Sequence, residues 1–421
     1  MFRAAVESAH PARLLPRAWP KRSHRARLLL ALGKAGPDMA AAACRIEHFR
    51  DALVLGPSER LHAVTLPDDV RRIEVDHPLP TMRNVEAANR VAAFAGSIPF
   101  EESLVVCLSG GASAHLAWPV PGVSLHDLRT ISDTLLRAGA DIAELNCVRK
   151  HLEMLKGGRL AQRCTAGDIC VLTLSDVEGN RQDVIASGPF SPDSTTFAHA
   201  LHILERYDAL LCAPDATRHL QSGVEGRHAD TPKPGDAAFA NVRTMIVGSN
   251  STARIAAEER AQLHGLDLAE SPLPAFLTGQ ARDIAGAFVI DAVRLAAEAR
   301  ARGRSCVLVR GGEATVHVGA ARGRGGRCQE LALAAATLLD GRKGITIGAL
   351  ATDGVDGPTS AAGAIVDGRT LSRAGDLGVD PLRALVEHDS ATFFECVGGQ
   401  VYTGPTGTNV NDLIVAVIAH D

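Results

Sequence analysis

The sequence predicts an α/β fold in two domains. Short apolar runs of strand length recur at residues 27–32, 104–108, 170–174, 305–310 and 346–350, and helix-length segments alternate with them. Each run opens into a loop loaded with Gly, Ser, Lys or Asp, and the ligands of α/β proteins gather at such strand ends. Residues 210–241 turn polar and rich in Gly, Pro and Asp, with Pro232-Lys233-Pro234-Gly235-Asp236 among them, the composition of a linker. The boundary is placed there, giving domains of residues 1–235 and 236–421.

In chain order, residues 6–15 read as a helix, and the strand at 27–32 ends at Gly33-Lys34-Ala35-Gly36 before a helix at 38–48. Lys34 therefore stands at a strand-to-loop junction, either as a solvated lysine or at a ligand. The prolines of His77-Pro78-Leu79-Pro80-Thr81 make a rigid turn ahead of a helix at 85–94. Strand 104–108 runs into Ser109-Gly110-Gly111-Ala112-Ser113-Ala114, where hydroxyls and open backbone amides can surround phosphate oxygens. Helices at 125–138 and 141–154 follow, the second leading to Lys156-Gly157-Gly158-Arg159. Asn146, Arg149, Lys150 and His151 crowd its last turns; a wet helix face would carry such charges, and so would a ligand site beside a glycine pair.

Strand 170–174 ends in Ser175-Asp176, and Ile185-Ala186-Ser187-Gly188-Pro189 leads to Pro192-Asp193. A carboxylate just past a strand end suits Mg²⁺ or a substrate hydroxyl, so Asp176 is the first metal candidate and Asp193 the second. Asp193 equally suits the cap of a helix at 196–207. A strand at 245–247 and helices at 251–263 and 279–302 precede the stretch richest in chemistry. There residues 305–310 reach Gly311-Gly312-Glu313-Ala314-Thr315-Val316, and Gly323-Arg324-Gly325-Gly326-Arg327-Cys328-Gln329-Glu330 opens a helix into the apolar run 331–339. Two glycine turns, a helix N-terminus and the forked donors of Arg324 and Arg327 together predict an anion site. The loops Thr352-Asp353-Gly354 and Thr406-Gly407-Thr408-Asn409 add polar side chains at further strand ends.

Composition excludes several classes. With 421 residues, 46% hydrophobic and 22% charged, the chain can bury substantial cores without staples. A formal charge of -4 argues against nucleic acid as the main partner. No apolar run approaches the roughly 18 residues of a bilayer span, so no membrane partner is expected. Arg13, Arg17, Lys21, Arg22, His24, Arg25 and Arg27 precede a short apolar stretch that lacks the long apolar region and cleavage site of an export signal, and folded chain is expected there. Nine scattered cysteines without a C-x-x-C pair fit a reducing cytoplasm. There is no P-loop, no G-x-S-x-G elbow, no EF-hand loop and no G-x-G-x-x-G fingerprint.

Taken together, LGKAGPDMA, HPLP, LSGGASA, LNCVRKHLEMLKGGRLA, LSDVEGN, IASGPFSPDSTTF, GGEATV, GRGGRCQELAL, ATDGVDGPTSAAGA and TGPTGTNVNDL resemble, in this order, the type-2 glycerate kinases, whose C-terminal module is the MOFRL domain. The resemblance spans roughly residues 5–417. It implies a Rossmann-like α/β/α N-terminal domain and a smaller α/β MOFRL domain at about 304–417, with the active site in the interdomain cleft. It implies transfer of phosphate from ATP, with Mg²⁺, to the 2-hydroxyl of D-glycerate, and partners limited to these small molecules, with a homo-oligomer allowed. Lys34 and Arg327 match the family's catalytic lysine and arginine, and Asp176, Asp353 and Asn409 match its polar cleft positions. Ser109, Gly110, Gly111, Ser113, Lys156, Gly311, Gly312 and Glu313 are assigned to nucleotide and phosphate, and Asp176 and Asp193 to metal.

Four positions depart from the family pattern: Ala112, Cys328, Asn180 and Gln280 replace a glycine, an asparagine, an aspartate and a glutamate. Two rival readings remain. One is a hydroxypyruvate reductase, a label some members of the family carry, which needs a nicotinamide site; the other is a non-catalytic sugar-acid binder.

Overall fold

The computed structural model describes residues 1–21, 25–319 and 321–420. Arg22 and His24 of the basic N-terminal stretch lie outside the described residues. The chain divides into two compact units, Leu14–Val247 and Gly248–Asp421 with Met1–Arg13. No helix among the described residues is long and apolar enough to cross a membrane.

The Leu14–Val247 unit is built on strands β1 (Arg27–Leu32), β2 (Asp51–Gly56), β3 (Arg71–Glu74), β4 (Ser103–Ser109), β5 (Asp168–Leu174) and β6 (Val242–Gly248), in the order β3-β2-β1-β4-β5-β6. Pairing is parallel from β3 through β5. β1 and β4 are buried at every position, which explains why they read as continuous apolar runs and not as alternation. β2 and β3 are short, and β3 buries one residue in four; neither is predicted above. β6 contains the strand expected at 245–247 and closes this sheet, so the polar stretch ahead of it connects two elements of one unit. The strand order reverses between β1 and β4, and a crevice at their carboxyl ends is the usual ligand position in a doubly wound sheet.

A helical layer with its own core belongs to this unit. Helices Leu125–Arg137, Ile142–Leu152, Phe197–Arg206 and Pro214–Val224 enclose Leu128, Ile131, Leu135, Val148, Leu204 and Leu220. The first two start at capping boxes, Ser124 with Asp127 and Asp141 with Glu144, which fix where each begins. Pro214–Val224 hides inside the stretch read as linker, because only Ala216, Thr217 and Leu220 are buried on it.

In the other unit a seven-stranded sheet runs β12-β11-β10-β13-β9-β7, with β8 also pairing β9. The strands are β7 (Asp267–Leu268), β8 (Phe276–Gln280), β9 (Cys306–Thr315), β10 (Ile345–Ala351), β11 (Gly363–Asp367), β12 (Gln400–Val401) and β13 (Asp412–Ile418). The long helices Ala281–Arg302 and Arg327–Leu339 supply much of its core, including Phe288, Leu295, Leu331 and Leu333. The N-terminal helix is shorter than the expected 6–15: Phe2–Ser8 ends, and Pro11, which lacks an N–H, starts Pro11–Ala18. Phe2–Ser8 packs in this unit, with Ser8 Oγ donating to Thr252 O at 3.3 Å and Ala9 O accepting from Thr408 Oγ1 at 2.7 Å.

The expected turn at Gly311-Gly312 is a straight run of strand. Both glycines sit inside β9, Gly312 opposite Asp412 and Gly311 opposite Leu413 on one side, with Leu277 and Phe276 on the other. They are glycines because neighbours crowd them: a Cβ on Gly311 would fall 1.5 Å from Asn250 Oδ1, and one on Gly312 2.7 Å from Leu277 O. Asn250 is pinned, its Nδ2 donating to Val410 O at 2.8 Å and Asp412 O at 3.0 Å. Gly311→Ala is therefore expected to cost about 1–3 kcal/mol by overpacking, read as a lower urea midpoint at unchanged slope. An unshifted midpoint would show that Asn250 yields freely.

Candidate active site

Parallel register brings three loops of the Leu14–Val247 unit side by side. Leu32 pairs with Leu108 and Ser109 with Leu174, so the chain leaves β1, β4 and β5 at one edge, at Gly33-Lys34, Gly110-Gly111 and Ser175-Asp176. Gly33 has φ +101° and lies against Ser109, where a Cβ would come within 2.4 Å of both the carbonyl and hydroxyl oxygens. Lys34 N donates to Gly110 O at 2.8 Å, and Ser109 Oγ accepts from Ala35 N at 3.0 Å. A Cβ on Gly110 would overlap the Asp176 carboxylate at 1.5 Å, and one on Gly111 would sit 2.9 Å from Lys34 Cγ and 3.1 Å from His77 Nε2. Lys34, Asp176, His77, Gly110 and Gly111 thus form one cluster, with Lys34, Asp176 and His77 each partly exposed.

Beneath it, buried His115 accepts from Gly33 N through Nδ1 at 3.2 Å. Burial, with the His77 ring 6.1 Å away, drops its pKa to about 3, so the ring is neutral with its proton on Nε2. Ser109 is fully buried, and its hydroxyl serves this loop packing by accepting from Ala35 N. Ser113 Oγ lies 2.6 Å from Ser187 Oγ, which donates to Asn146 Oδ1 at 2.8 Å.

Next to Gly111 and Ser113 opens a cavity of about 260 Å³. Helix geometry supplies one wall: Arg129, Ser132, Asp133 and Leu136 recur at i, i+3, i+4 and i+7 of helix Leu125–Arg137. Arg149, Glu153 and Lys156 supply another. Lys156, 2% exposed, is paired with Glu153; burial lowers its pKa to about 8 against the pull of that carboxylate. The cationic cluster expected around 146–156 therefore splits. Arg149 and Lys156 face the cavity, while Lys150 is buried with Asp193 and His151 bonds Asp230 at 2.9 Å.

That pairing engages the carboxylate of Asp193, the second metal candidate, within the protein. Its carboxylate is enclosed by Lys150 Nζ at 3.3 Å, Thr195 N at 3.1 Å, Thr195 Oγ1 at 2.8 Å and Thr231 Oγ1 at 3.0 Å, in a residue 1% exposed. Burial raises its pKa, and Lys150 and Thr195 outweigh that and lower it, so it is an ionised structural acid. Nor does Asp193 cap the next helix, whose N-cap is Thr196. Among the described residues no group of three His, Cys, Asp or Glu side chains is gathered for a metal.

In the other unit, Asp412 opens β13 between Ala351 of β10 and Gly312 of β9, so one sheet edge collects Glu313, Asn411, Asp412 and the Asp353 loop. Arg327, first residue of its helix, grips buried Asp412, with Nε 2.6 Å from Oδ2 and Nη2 2.9 Å from Oδ1, and reaches Glu313 at 3.2 Å. Burial pulls its pKa down, and the Asp412 and Glu313 carboxylates raise it further, so the charge is permanent. Asn411 Nδ2 ties Glu313 Oε2 at 3.0 Å. The 406–410 strip is fastened to the Asp353 loop: Asp353 O accepts from Thr406 N at 3.1 Å, and Thr352 Oγ1 from Val410 N at 2.9 Å. Asp353 is half-buried, and Asn409 is buried beside this seam.

The expected anion site at the helix N-terminus is filled by the protein itself. Asp356 accepts from Cys328 N at 2.9 Å and from Gln329 N at 2.8 Å, and a Cβ on Gly326 would overlap it at 2.3 Å. Arg324 is exposed and pairs with Glu395. Gly311 and Gly312, expected in a turn, lie in strand β9. Of the departures from the family pattern, Cys328 is buried, with burial pushing its thiol pKa well up, and Gln280 is exposed at the end of β8. The sequence reading missed Asp412 and Asp356, although both stand in motifs it quotes; what decides their roles is antiparallel register and helix capping, neither of which a single motif shows.

Residues 1–221 match a family described as a domain of unknown function, DUF4147, and residues 306–412 match the MOFRL family. The chain is 36% identical to the D-glycerate 2-kinase of Thermotoga maritima over 99% of this chain and 97% of that protein. It is 37% identical to a putative hydroxypyruvate reductase of Agrobacterium vitis over 99% of this chain and 93% of that protein. A crystal structure of glycerate kinase from Thermotoga maritima superposes with a TM-score of 0.84 at 35% identity, covering 99% of this chain and 97% of that one. Likeness over almost the full length, in sequence and in fold, places the chain in the glycerate 2-kinase family.

Proposed function

We propose that this protein transfers the γ-phosphoryl group of ATP to the 2-hydroxyl of D-glycerate, giving 2-phosphoglycerate. The observation that carries the reading is the cluster at the switch between β1 and β4, where Lys34, the Gly110-Gly111 loop and Asp176 meet in a chain that belongs to this family. Phosphoryl transfer asks a protein mainly for positioning and for charge around the moving group. Lys34 supplies a compact cation, open to solvent on one side. Arg327 supplies a guanidinium held in fixed orientation by Asp412. Asp353 and Asn409 are assigned to orienting bound substrate.

Mg²⁺ keeps most of its waters and takes one or two carboxylates besides substrate phosphates. Asp176 fits that requirement: it is partly exposed, and the missing Cβ of Gly110 makes the cradle in which its carboxylate lies. It is the residue that would hold the ion, which when bound would neutralise phosphate oxygens. A reductase reading, in line with the name of the Agrobacterium relative, lacks support at the corresponding loop, where Gly33-Lys34-Ala35-Gly36 replaces the dinucleotide fingerprint.

The test is purified protein with ATP, Mg²⁺ and D-glycerate, followed by ADP release and by ³¹P NMR of the product, in parallel with NADH and hydroxypyruvate. NADH loss without ADP release would overturn the reading. Arg327→Lys is expected to lower kcat roughly 10²-fold, since a point charge replaces a forked donor; an unchanged kcat removes Arg327 from the chemistry. Lys34→Met is expected to abolish most turnover while Tm stays within about 3 °C, a loss below about 1 kcal/mol. A collapse in Tm would make Lys34 a structural residue.

A further inference from the structure

The cavity beside Gly111 and Ser113 has an uneven charge balance. Five of its lining side chains carry full charges: Arg129, Arg149 and Lys156 against Asp133 and Glu153. Lys156 and Glu153 neutralise each other in one buried pair, and Asp133 is exposed. Neither arginine has a carboxylate partner among the described residues. Arg129 donates through Nη2 to the Pro80 carbonyl and leaves a buried Nε without a partner. Arg149 has one long contact, Nε to Ser132 Oγ at 3.4 Å, and its proximity helps to lower the Lys156 pKa. Two half-buried guanidinium groups on neighbouring helices, turned to one partly open cavity and neither paired with a carboxylate among the described residues, are what a small anion requires.

We propose that Arg129 and Arg149 clamp the carboxylate of the acceptor acid, and that this cavity sets the preference for a small 2-hydroxy acid. The proposal rests on the kinase reading above and deepens it. Size favours the acceptor over the nucleotide: about 260 Å³ lies below the roughly 300–1,000 Å³ of sites that engulf drug-sized ligands, and a three-carbon acid is far smaller than ATP. Chemistry favours it too, since a carboxylate offers two coplanar oxygens to the in-plane donor edge of a guanidinium fork. Seating the acid here places its hydroxyl end toward Ser113 and Gly111, the cavity side that adjoins the Lys34 loop.

The experiment compares the full-length wild type with Arg149→Met, Arg129→Met and Arg149→Lys, using D-glycerate and its uncharged amide, D-glyceramide, as acceptors. Steady-state rates give kcat/KM for each acceptor and KM for ATP. In the methionine variants the preference for acid over amide is expected to shrink about 100-fold, because a charged group loses its paired site, while KM for ATP stays within about twofold; Arg149→Lys restores part of the preference. An unchanged acid-to-amide preference overturns the clamp. So does a rise in KM for ATP with the preference intact, which would make the cavity a phosphate subsite. A wild type that releases no ADP with D-glycerate sinks the kinase reading and this proposal with it, whereas an active wild type with indifferent variants sinks the clamp alone. If a methionine variant fails to fold, Arg149→Lys carries the same comparison, with a partial loss of preference expected and full retention contrary.

Discussion

The space left by a missing β-carbon at Gly110 is the constraint on which the β1–β4 cluster depends. Asp176 follows β5 and its carboxylate occupies the volume that any side chain at Gly110 would need, while Gly33 is crowded by Ser109, and Gly111 by Lys34 and His77. Strand register makes this unavoidable. With Leu32 level with Leu108, and Ser109 with Leu174, the three loops must pass within a side chain of one another. The cluster is therefore fixed by buried strands that tolerate little movement, and only the outward part of Lys34 and Asp176 is left to respond to a ligand. Rigid strands beneath and small residues above are how α/β folds present chemistry at a strand end.

Charge is handled differently in the two units. Around the β1–β4 edge, His115 stays neutral, Lys156 is matched by Glu153, and two arginines are left over beside the cavity. Around Arg327 the carboxylates are in excess, since Asp412, Glu313 and Asp356 all lie near one guanidinium. A phosphate brought to Arg327 meets a cation that is aligned by Asp412 and already partly neutralised. A carboxylate brought to Arg129 and Arg149 meets cations that hold no ion pair among the described residues.

Much of the architecture was legible because buried strands and helix caps leave strong local signals. β1 and β4, buried throughout, and β5, buried at all but its first residue, read directly as apolar runs, and Lys34 and Asp176 fall where their ends predict. The cavity arginines were harder. Arg149 stood in a recognised cationic cluster, but Arg129 lies on a separate helix and shares the cavity only through packing. β3 was missed because a short strand with one buried residue has no apolar run to see. Helix Pro214–Val224 reads as linker in the sequence, because its buried face is built from Ala, Thr and one Leu among polar residues. Asp193 stood where a metal ligand would, and only tertiary structure shows the lysine and threonines that surround it.

The glycine-rich motifs carry the sharpest lesson, because one sequence signal has two physical meanings. A glycine opens backbone either to a ligand or to a side chain of the same protein. Gly110, Gly311 and Gly326 each admit a polar side chain of this protein, Asp176, Asn250 and Asp356 respectively, at distances no Cβ could share. At Gly326 the consequence is electrostatic. The helix that begins at Arg327 spends its free amides on Asp356, so its partial positive end is already matched by a full negative charge. A phosphate would be attracted weakly, or repelled, by that terminus. What remains able to meet an anion there is the guanidinium of Arg327 itself, and its direction is set by Asp412, a residue brought to it by the pairing of β13 with β9. The motif that looks like a phosphate cradle is thus a mounting for one arginine.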